Sequence, residues 1–381
     1  MTWFDRLVWD RTKNREQLTL EQLLAEDARP TAAGEAVTVE AALRLSTVWG
    51  CVRLLADSVS TLPLHVYRGD DRDPIPTPPL LQRPSADFPE LADWLWAVMA
   101  SLLLRGNAWG LVTDRAGAGL LPAQVDLIHP DRVSVTTNGE GRRVIRVSGE
   151  EVDPADLWHL KAFTWPGQVE GLSPIADARE SIGLGLGAEK YGARFFGDAA
   201  IPSGVLTSDQ RISQQEADQL KARWKERHKN KRDIAVLGSG ARFQPVSINP
   251  DEAQFLGTIK ANVATVCRIF GVPPEMQGGE TAGQEAYTSP EMRGTDLLTW
   301  TLRPWLYRVE RGVSRLLPST QRARFNPGGY VRATLLDRYR AHELGIRSGW
   351  LLRSEVRELE DRPPIDGIDN QEPPPDPGGI A

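Results

Sequence analysis

Apolar side chains recur at helical spacing near the start of the chain. Between residues 38 and 60 they stand three or four positions apart, at Ala42, Leu45, Val48, Val52 and Leu55. This spacing places them on one face, so we predict a single helix over 38–60. The apolar positions that follow alternate like those of a half-buried strand, at Leu62, Leu64 and Val66. A proline-rich loop is predicted over 74–84, and a second helix over 91–104.

The pattern changes between residues 106 and 160. Short runs rich in Val, Ile, Leu and Trp are separated there by Gly, Pro and Asn, as in "NAWGLVT", "QVDLIHP", "RVSVTTNGEGRRVIRV" and "DLWHL". The "NGEG" tetrapeptide is typical of a hairpin turn. Antiparallel strands that follow helices favour an α+β fold over a doubly wound α/β fold.

Two long helices are predicted in the middle of the chain. The first covers 174–196, with Ser173 as the N-cap and Pro174 in the first turn. Glycine costs about 1 kcal/mol in a helix interior, yet this helix has four, at Gly183, Gly185, Gly187 and Gly192. They indicate either a face that lies close to a neighbouring helix or a helix able to bend. The second covers 251–270, after two strand-like runs around a short polar helix at 213–229.

A third long helix is predicted over 289–317, with a kink at Pro304 because proline lacks an N–H donor. Its apolar face contains Leu298, Leu302, Trp305, Val309, Val313 and Leu316. Between the second and third helices lies a polar stretch rich in Gly, Thr, Gln and Glu. Small helices with a glycine-containing turn are predicted for the remainder.

Composition excludes some classes of protein. The chain has 381 residues, a formal net charge of −6, 40% hydrophobic residues and 25% charged residues. This balance argues against a protein that binds nucleic acid over its whole surface, which needs a dominant basic face. The charged N-terminal region is not typical of a signal peptide, and the apolar run 91–104 is too short to cross a bilayer. We therefore expect a soluble, cytoplasmic protein.

The sequence contains no pattern typical of a catalytic or metal site. The "GLGLGA" run at 183–188 falls inside a predicted helix and not after a strand, which argues against a dinucleotide site. Histidines are scattered without ligand spacing, and His159 is expected to be a core histidine with its hydrogen bond satisfied. Cys51 and Cys267 are expected to be buried thiols. We predict no catalytic residue, no metal and no cofactor.

A basic run stands out between residues 221 and 232. Its members are Lys221, Arg223, Trp224, Lys225, Arg227, Lys229, Lys231 and Arg232. They form either a solvated helix face or a surface that binds an acidic partner or DNA phosphates.

The order of several short motifs resembles the portal proteins of tailed bacteriophages, the Hong Kong 97-type family. The motifs are "RLLADSVSTLPLHVYR", "LLLRGNAWG", "HPDRVSV", "LWHLK", "GLSPI", "IPSGVL", "IFGVPPEM" and "SEVRELEDRPPI". The resemblance covers residues 37–366. It implies an α+β portal fold with a wing of helices and antiparallel strands, a two-helix stem, a small α+β clip, a long kinked helix and a small helical crown.

The resemblance also implies a division of the chain. The expected segments are an N-terminal arm at 1–36 that is partly disordered, a wing at 37–173, a first stem helix at 174–198, a clip at 199–249, a second stem helix at 250–272, a tunnel loop at 273–288, a long helix that returns to the wing at 289–330, a crown at 331–368 and a disordered tail at 369–381.

The function implied is a non-enzymatic ring, usually of twelve identical subunits, at one capsid vertex. Double-stranded DNA passes through the ring during packaging and ejection without specific binding. The implied partners are the terminase large subunit, a head–tail adaptor, and the major capsid and scaffold proteins, with no membrane. The protein would reside in the virion, after assembly in the host cytoplasm. Two alternatives stay open: a phage-encoded DNA-processing enzyme, and a minor capsid or adaptor ring protein.

Three groups of site residues follow from the resemblance. The tunnel loop would face DNA with Gln277, Gly278, Gly279, Glu280, Thr281, Gln284, Glu285 and Tyr287. The basic run would belong to the clip and bind the terminase or adaptor. The stem helices would pack through Leu256, Ile259, Val263 and Val266.

Overall fold

The computed structural model describes residues 30–69, 71, 73–117, 121–138, 142–197, 204–208, 241–245, 250–279, 290–329, 335–360 and 362–370. The chain forms two compact units. The first contains Met1–Ala56, Trp96–Thr113 and Val125–Ala282, and the second contains Asp57–Leu95, Asp114–Gln124 and Gly283–Ala381.

Helices and antiparallel strands both contribute to the fold. The α-helices are α1 Val39–Arg44, α2 Ser46–Ser60, α3 Pro79–Gln82, α4 Leu91–Arg105, α5 Pro174–Asp177, α6 Arg179–Gly197, α7 Pro250–Phe270, α8 Pro290–Asp296, α9 Arg303–Ser314, α10 Leu335–Arg347 and α11 Arg353–Leu359. The strands are β1 Leu64–Arg68, β2 Pro74–Ile75, β3 Asn107–Ala116, β4 Leu121–Ile128, β5 Val133–Thr137, β6 Arg143–Val147, β7 Glu150–Glu151, β8 Leu157–Lys161, β9 Gly204–Ser208, β10 Ala241–Pro245 and β11 Gln321–Phe325.

The helix predicted over 38–60 is two helices. Thr38 caps α1 by accepting a hydrogen bond from the Ala41 N–H (3.1 Å). Leu45 then adopts an extended conformation, with φ −71° and ψ 114°, which ends α1 before α2 begins. The predicted core face is nevertheless correct, because all five apolar positions are buried.

Two antiparallel sheets lie in the region predicted to be β-rich. In one, β3 is the central strand between β4 and β8, and Ala108 stands opposite Leu160. In the other, β6 pairs with both β5 and β7. The His159 ring stacks on the Trp109 ring with their centroids 3.4 Å apart. His159 therefore has structural partners, as the sequence predicted.

The helix predicted over 174–196 also has a break. Ser173 caps α5 as predicted, accepting a hydrogen bond from the Ala176 N–H (3.2 Å). At Ala178 the backbone leaves the helical conformation, with φ −104° and ψ 18°, and α6 begins at the next residue. The one-turn helix α5 therefore sits as a separate element before the long helix α6.

The glycines of α6 allow close contacts on two sides. A Cβ atom at Gly185 would overlap the Asn262 Oδ1 atom of α7 and lie 3.1 Å from the Leu45 Cδ2 atom. A Cβ atom at Gly183 would overlap Thr31, which is buried. Asn262 Nδ2 donates a hydrogen bond to the Ser181 carbonyl (2.9 Å), joining α7 to α6. Close approach, and not bending, therefore accounts for these two glycines.

The last residues of the predicted N-terminal arm lie along α6. The Ala32 N–H donates to Glu180 Oε2 (3.0 Å), and Lys190 Nζ lies 2.7 Å from Glu35 Oε1. The chain from Pro30 to Ala36 is held in a turn by an antiparallel bridge between those two residues. This segment is therefore ordered, while residues 1–29 lie outside the described part of the chain.

The second unit contains a small antiparallel sheet with β1 in the centre. Leu64 stands opposite Phe325, and Ile75 of β2 stands opposite Val66. The stretch predicted as a proline-rich loop thus contains β2 and the helix α3. The prediction failed because Pro79 occupies the first turn of α3, where proline needs no N–H partner, and α3 buries Leu80 and Leu81.

The third long helix contains a π-helical segment at Leu297–Leu302, between α8 and α9. Pro304, where we predicted a kink, lies directly after it in the first turn of α9. The missing proline N–H is one reason for the irregular hydrogen bonding at this place.

Packing of α9 on β11 is fixed by two hydrogen bonds, from the Phe325 N–H to Glu310 Oε1 (2.8 Å) and from the Ala323 N–H to Ser314 Oγ (2.9 Å).

The two C-terminal helices are joined through one carboxylate. Arg338 Nη2 of α10 donates to Glu360 Oε2 (2.7 Å), and His342 Nε2 lies 3.0 Å from Glu360 Oε1. Desolvation raises the pKa of Glu360, but the hydrogen bond from His342 and the charge of Arg338 lower this pKa more strongly, to below the ordinary 4.5. Gly349, with φ +73°, supplies the predicted turn between α10 and α11.

We predict that Gly185→Val destabilises the contact between α6 and α7. The new side chain would overlap Asn262 and Leu45, and overpacking of this kind costs about 1–3 kcal/mol. Hydrogen–deuterium exchange should become faster in both helices. Gly294→Ala in α8 is the control, because nothing lies within 4 Å of a Cβ atom there. Unchanged exchange in α7 of the Gly185→Val protein would contradict the close contact.

We also predict that Glu360 contributes to the stability of the fold and that this contribution depends on pH. Because its pKa is lower in the folded protein, the carboxylate stabilises the fold above its ordinary pKa, and this contribution disappears as the pH falls through the lowered value. Glu360→Gln should therefore lower the thermal midpoint near neutral pH and have progressively less effect in acid. Glu343→Gln is the matched control, because Glu343 is exposed and its ion pair among the described residues is with Arg347 one turn away (3.2 Å). A pH-independent effect of Glu360→Gln would refute the prediction.

Candidate functional site

The residues predicted to pack the stem lie on α7. Val266 is buried, and Ile259 and Val263 are half-buried. Leu256 belongs to the same helix, but its side chain lies outside the described part of the chain. Their role as the packing set of the stem stays a prediction. Asn262, which sequence reasoning did not single out, makes the hydrogen bond that joins α7 to α6.

Two buried thiols, one on α2 and one on α7, contact each other. Cys51 of α2 and Cys267 of α7 are both fully buried. Hydrogen bonding to Cys267, together with burial, raises the pKa of the Cys51 thiol well above its usual range. The Cys51 thiol therefore stays protonated and packs as a small apolar group, as predicted for a buried cysteine. The sequence contained no signal that the two cysteines meet.

The polar segment after α7 begins with an ordered turn. Residues Pro274–Gln277 form one 3₁₀ turn, and Gly278 follows in the left-handed conformation with φ +74°. The Gly279 N–H donates to the Pro274 carbonyl (2.8 Å). A Cβ atom at Gly50 of α2 would overlap Gln277 Oε1, so the Gln277 side chain lies directly on the α2 backbone. Gln277, the first of the residues predicted to face DNA, is therefore packed against the protein.

The other predicted loop residues, Glu280, Thr281, Gln284, Glu285 and Tyr287, lie outside the described residues. So does the entire basic run: Lys221, Arg223, Trp224, Lys225, Arg227, Lys229, Lys231 and Arg232. The two strands predicted on either side of that run are present as β9 and β10, which pair antiparallel with Val205 opposite Gln244.

Asn107 is the buried polar residue that holds the loop between β8 and α5. Its Oδ1 accepts a hydrogen bond from the Gly171 N–H (2.7 Å) and lies 3.0 Å from His159 Nε2. Its Nδ2 donates to the carbonyls of Gly171 and Arg105, at 3.1 Å each. Gly106, with φ +72°, lets the backbone approach the loop closely. The Gly-Asn pair between a predicted helix and strand was the available sequence signal.

The loop held by Asn107 presents two aromatic side chains to solvent. Phe163 is 63% exposed and Trp165 is 54% exposed. The loop is ordered by hydrogen bonds from the Leu172 N–H to the Phe163 carbonyl (2.7 Å) and from the Gln168 N–H to the Trp165 carbonyl (3.1 Å). Exposed aromatic side chains on an ordered loop are typical of protein-contact surfaces. The sequence analysis did not single out Phe163 or Trp165.

Within the described residues, no cluster of three or more His, Cys, Asp or Glu side chains is arranged to hold a metal ion. In the same part of the chain, no helix combines the length and hydropathy needed to cross a bilayer.

Comparisons with known proteins agree with this architecture. The family model described as "Phage portal protein" matches residues 46–361. The chain is 35% identical over 363 residues to the "Probable portal protein" of Streptomyces phage phiC31, covering 88% of this chain and 79% of that one. It is 27% identical over 350 residues to the "Portal protein" of Enterobacteria phage HK97, covering 87% and 81%.

A solved structure shows the same fold. A chain in the neck of an empty GTA particle, computed with C6 symmetry, superposes with a TM-score of 0.62 at 22% identity, covering 90% of this chain and 98% of that one. The predicted α+β portal fold is therefore confirmed. Because the family match covers most of the chain, the resemblance inferred from the short motifs is confirmed as well: this chain belongs to the phage portal protein family.

Proposed function

We propose that this chain assembles with identical copies into a ring at one capsid vertex, and that double-stranded DNA passes through the ring. The family match over residues 46–361 is the observation that carries this proposal. The ring serves genome packaging, head–tail joining and DNA ejection. Its role is structural, and ATP hydrolysis belongs to the packaging motor that docks on it.

The helical pair α6 and α7 suits the wall of such a channel. With 19 and 21 residues, these helices have lengths of roughly 28 and 31 Å at about 1.5 Å per residue. The contact between Gly185 and Asn262 holds them together, and the hydrogen bond from Asn262 to Ser181 fixes their register. A wall made of such pairs resists deformation while DNA moves past it.

The polar segment after α7 is our candidate for the surface that faces DNA. Gln277, Gly278 and Gly279 lead into it, and Glu280 and Glu285 would repel phosphates. Each phosphate that Lys or Arg neutralises adds salt-dependent affinity, whereas a translocating duplex must slide. A segment with little positive charge therefore suits a conduit.

The basic run between β9 and β10 is our candidate for the motor-docking surface. Seven cationic side chains within 221–232 would attract an acidic surface. We assign the terminase large subunit and later the head–tail adaptor to this surface. The major capsid and scaffold proteins are the proposed partners elsewhere on the ring.

Electron microscopy of the purified protein tests the ring directly. We expect particles with a central hole and rotational symmetry, with twelve as the expected number of subunits. The measurement should be repeated at several salt concentrations, because screening weakens charged contacts between subunits. A monodisperse monomer under every condition would overturn the proposed function.

We predict that replacing Lys225, Arg227 and Lys229 together by Glu leaves the ring intact and weakens motor docking. Reversing three positive charges changes the charge of this contact by six units. The change should reduce motor-dependent DNA packaging by more than about tenfold. Packaging is measured as DNA protected from nuclease in an assembly reaction, and ring formation is measured by microscopy.

The control has the same charge change at another place. Arg83, Arg142 and Arg143 are exposed, and their joint replacement by Glu should leave packaging close to the wild-type level. Equal packaging by both triple variants and the wild type would remove the docking assignment for the basic run.

A further inference from the structure

The turn from α10 to α11 and the helix α11 surround a cavity at the surface. The cavity has a volume of about 420 Å³ and is lined by Trp350, Leu351, Glu355, Glu358 and Leu359. Trp350 is 71% exposed, and Leu359 at the end of α11 is exposed as well. Large apolar side chains at a concave surface are typical of a binding site for another apolar group.

The indole ring of Trp350 is held in place from one side. A Cβ atom at Gly345 of α10 would lie 3.2 Å from Trp350 Cζ2 and 3.2 Å from Leu351 Cβ, so both side chains rest on the α10 backbone. The Leu351 N–H donates to the Gly345 carbonyl (3.3 Å), which fixes the turn that contains Trp350. The cavity therefore has an aromatic side whose position is set before anything binds.

The described part of the chain ends beside this cavity. The disordered tail predicted from residue 369 instead begins with ordered residues, because Ile368–Asn370 form a 3₁₀ turn. The Ser354 N–H donates to Asp369 Oδ1 (2.9 Å), which ties this turn to the start of α11. Ser354 directly precedes Glu355, which lines the cavity. The residues after Asn370 therefore start within a few residues of the cavity.

Four prolines follow Asn370 closely in the sequence, at Pro373, Pro374, Pro375 and Pro377. Proline fixes its own φ near the polyproline II value and disfavours the helical conformation of the residue before it. In the polyproline II conformation, residues 373–377 would span roughly 12 Å at about 3.1 Å per residue. The seven residues of α11 span roughly 10 Å at about 1.5 Å per residue. The segment and the helix beside the cavity therefore have similar lengths.

We propose that the proline-rich segment 373–377 binds in the cavity at Trp350 of the same copy, an inference that stands apart from the proposed channel. Extended proline-rich segments bind in grooves lined by aromatic side chains, because they lose little conformational freedom on binding. Gln371 and Glu372 separate this segment from Asn370. Three residues reach at most about 11 Å, which suffices for the cavity beside Glu355. Such a short connection also favours binding within one copy through a high effective concentration.

Charge does not drive this contact. Glu355 and Glu358 line the cavity, while the tail contains Glu372 and Asp376. The Glu355 carboxylate already accepts a hydrogen bond from the Leu352 N–H (2.7 Å). Burial of apolar surface between the prolines and the indole ring is therefore the source of the binding. Salt screens the like charges and should not weaken the contact.

Disulfide cross-linking tests the contact in the full-length chain. In a Glu358→Cys, Asp376→Cys double variant, mild oxidation with a copper–phenanthroline complex should join the two positions within one copy. Non-reducing gel electrophoresis should then show monomers, and mass spectrometry of their fragments should show residues 358 and 376 linked. The native Cys51 and Cys267 are buried and remain in place.

The matched control carries Glu343→Cys instead of Glu358→Cys, together with Asp376→Cys. Glu343 is an exposed glutamate of α10. It lies two positions before Gly345 and therefore on the other side of that helix. The charge change is the same in both double variants, but the control should cross-link much more slowly.

Two substitutions in the Glu358→Cys, Asp376→Cys protein test the role of the indole ring. Trp350→Ala should slow the cross-linking by at least about tenfold, as expected for removal of a tryptophan at the centre of a contact. Trp350→Phe keeps an aromatic ring and should retain most of the rate. No linked fragment, or equal rates in the Trp350→Ala or Glu343→Cys proteins, would overturn the proposal. Dimers and larger species would overturn it too, because the tail would then reach a neighbouring copy.

Discussion

The close approach of α6 and α7 at Gly185 is the contact on which the rest of the proposed channel depends. Removing the Cβ atom at this position makes space for the Asn262 side chain, which is buried and donates a hydrogen bond to the Ser181 carbonyl. Leaving a buried amide without a hydrogen-bond partner costs free energy. Sliding one helix along the other would break the bond from Asn262 and is therefore unfavourable. Shape and polarity together therefore fix one register for the pair.

Periodic features of the sequence predicted the core well, because burial imposes the spacing. The apolar face of 38–60 and the strand at Leu64 were predicted correctly for this reason. The two helix breaks were not predicted, since neither Leu45 nor Ala178 is a residue that ends helices by itself. Tertiary packing overrides weak propensities at such places. Pro304 gave a correct position for an irregularity, while its form as a π-helical segment was not predicted.

Contacts between distant parts of the chain could not be predicted from local sequence patterns. Cys51 meets Cys267, and Gln277 lies on Gly50, although more than two hundred residues separate the members of each pair. Asn107 holds a loop 64 residues away through Gly171. The family, in contrast, could be recognised from the sequence, because several weak motifs in one fixed order carry more information than any one of them.

The position of Gln277 explains how a polar segment can begin at a defined place. Its side chain lies over Gly50, and Gly278 then turns the backbone through a left-handed conformation that glycine adopts without steric cost. In a ring of identical copies, every polar segment would start at the same height and the same distance from the axis. Under our proposal that this segment faces DNA, the channel would then present a uniform rim to the duplex. Uniformity matters for sliding, because one irregular attractive site would hold DNA in place.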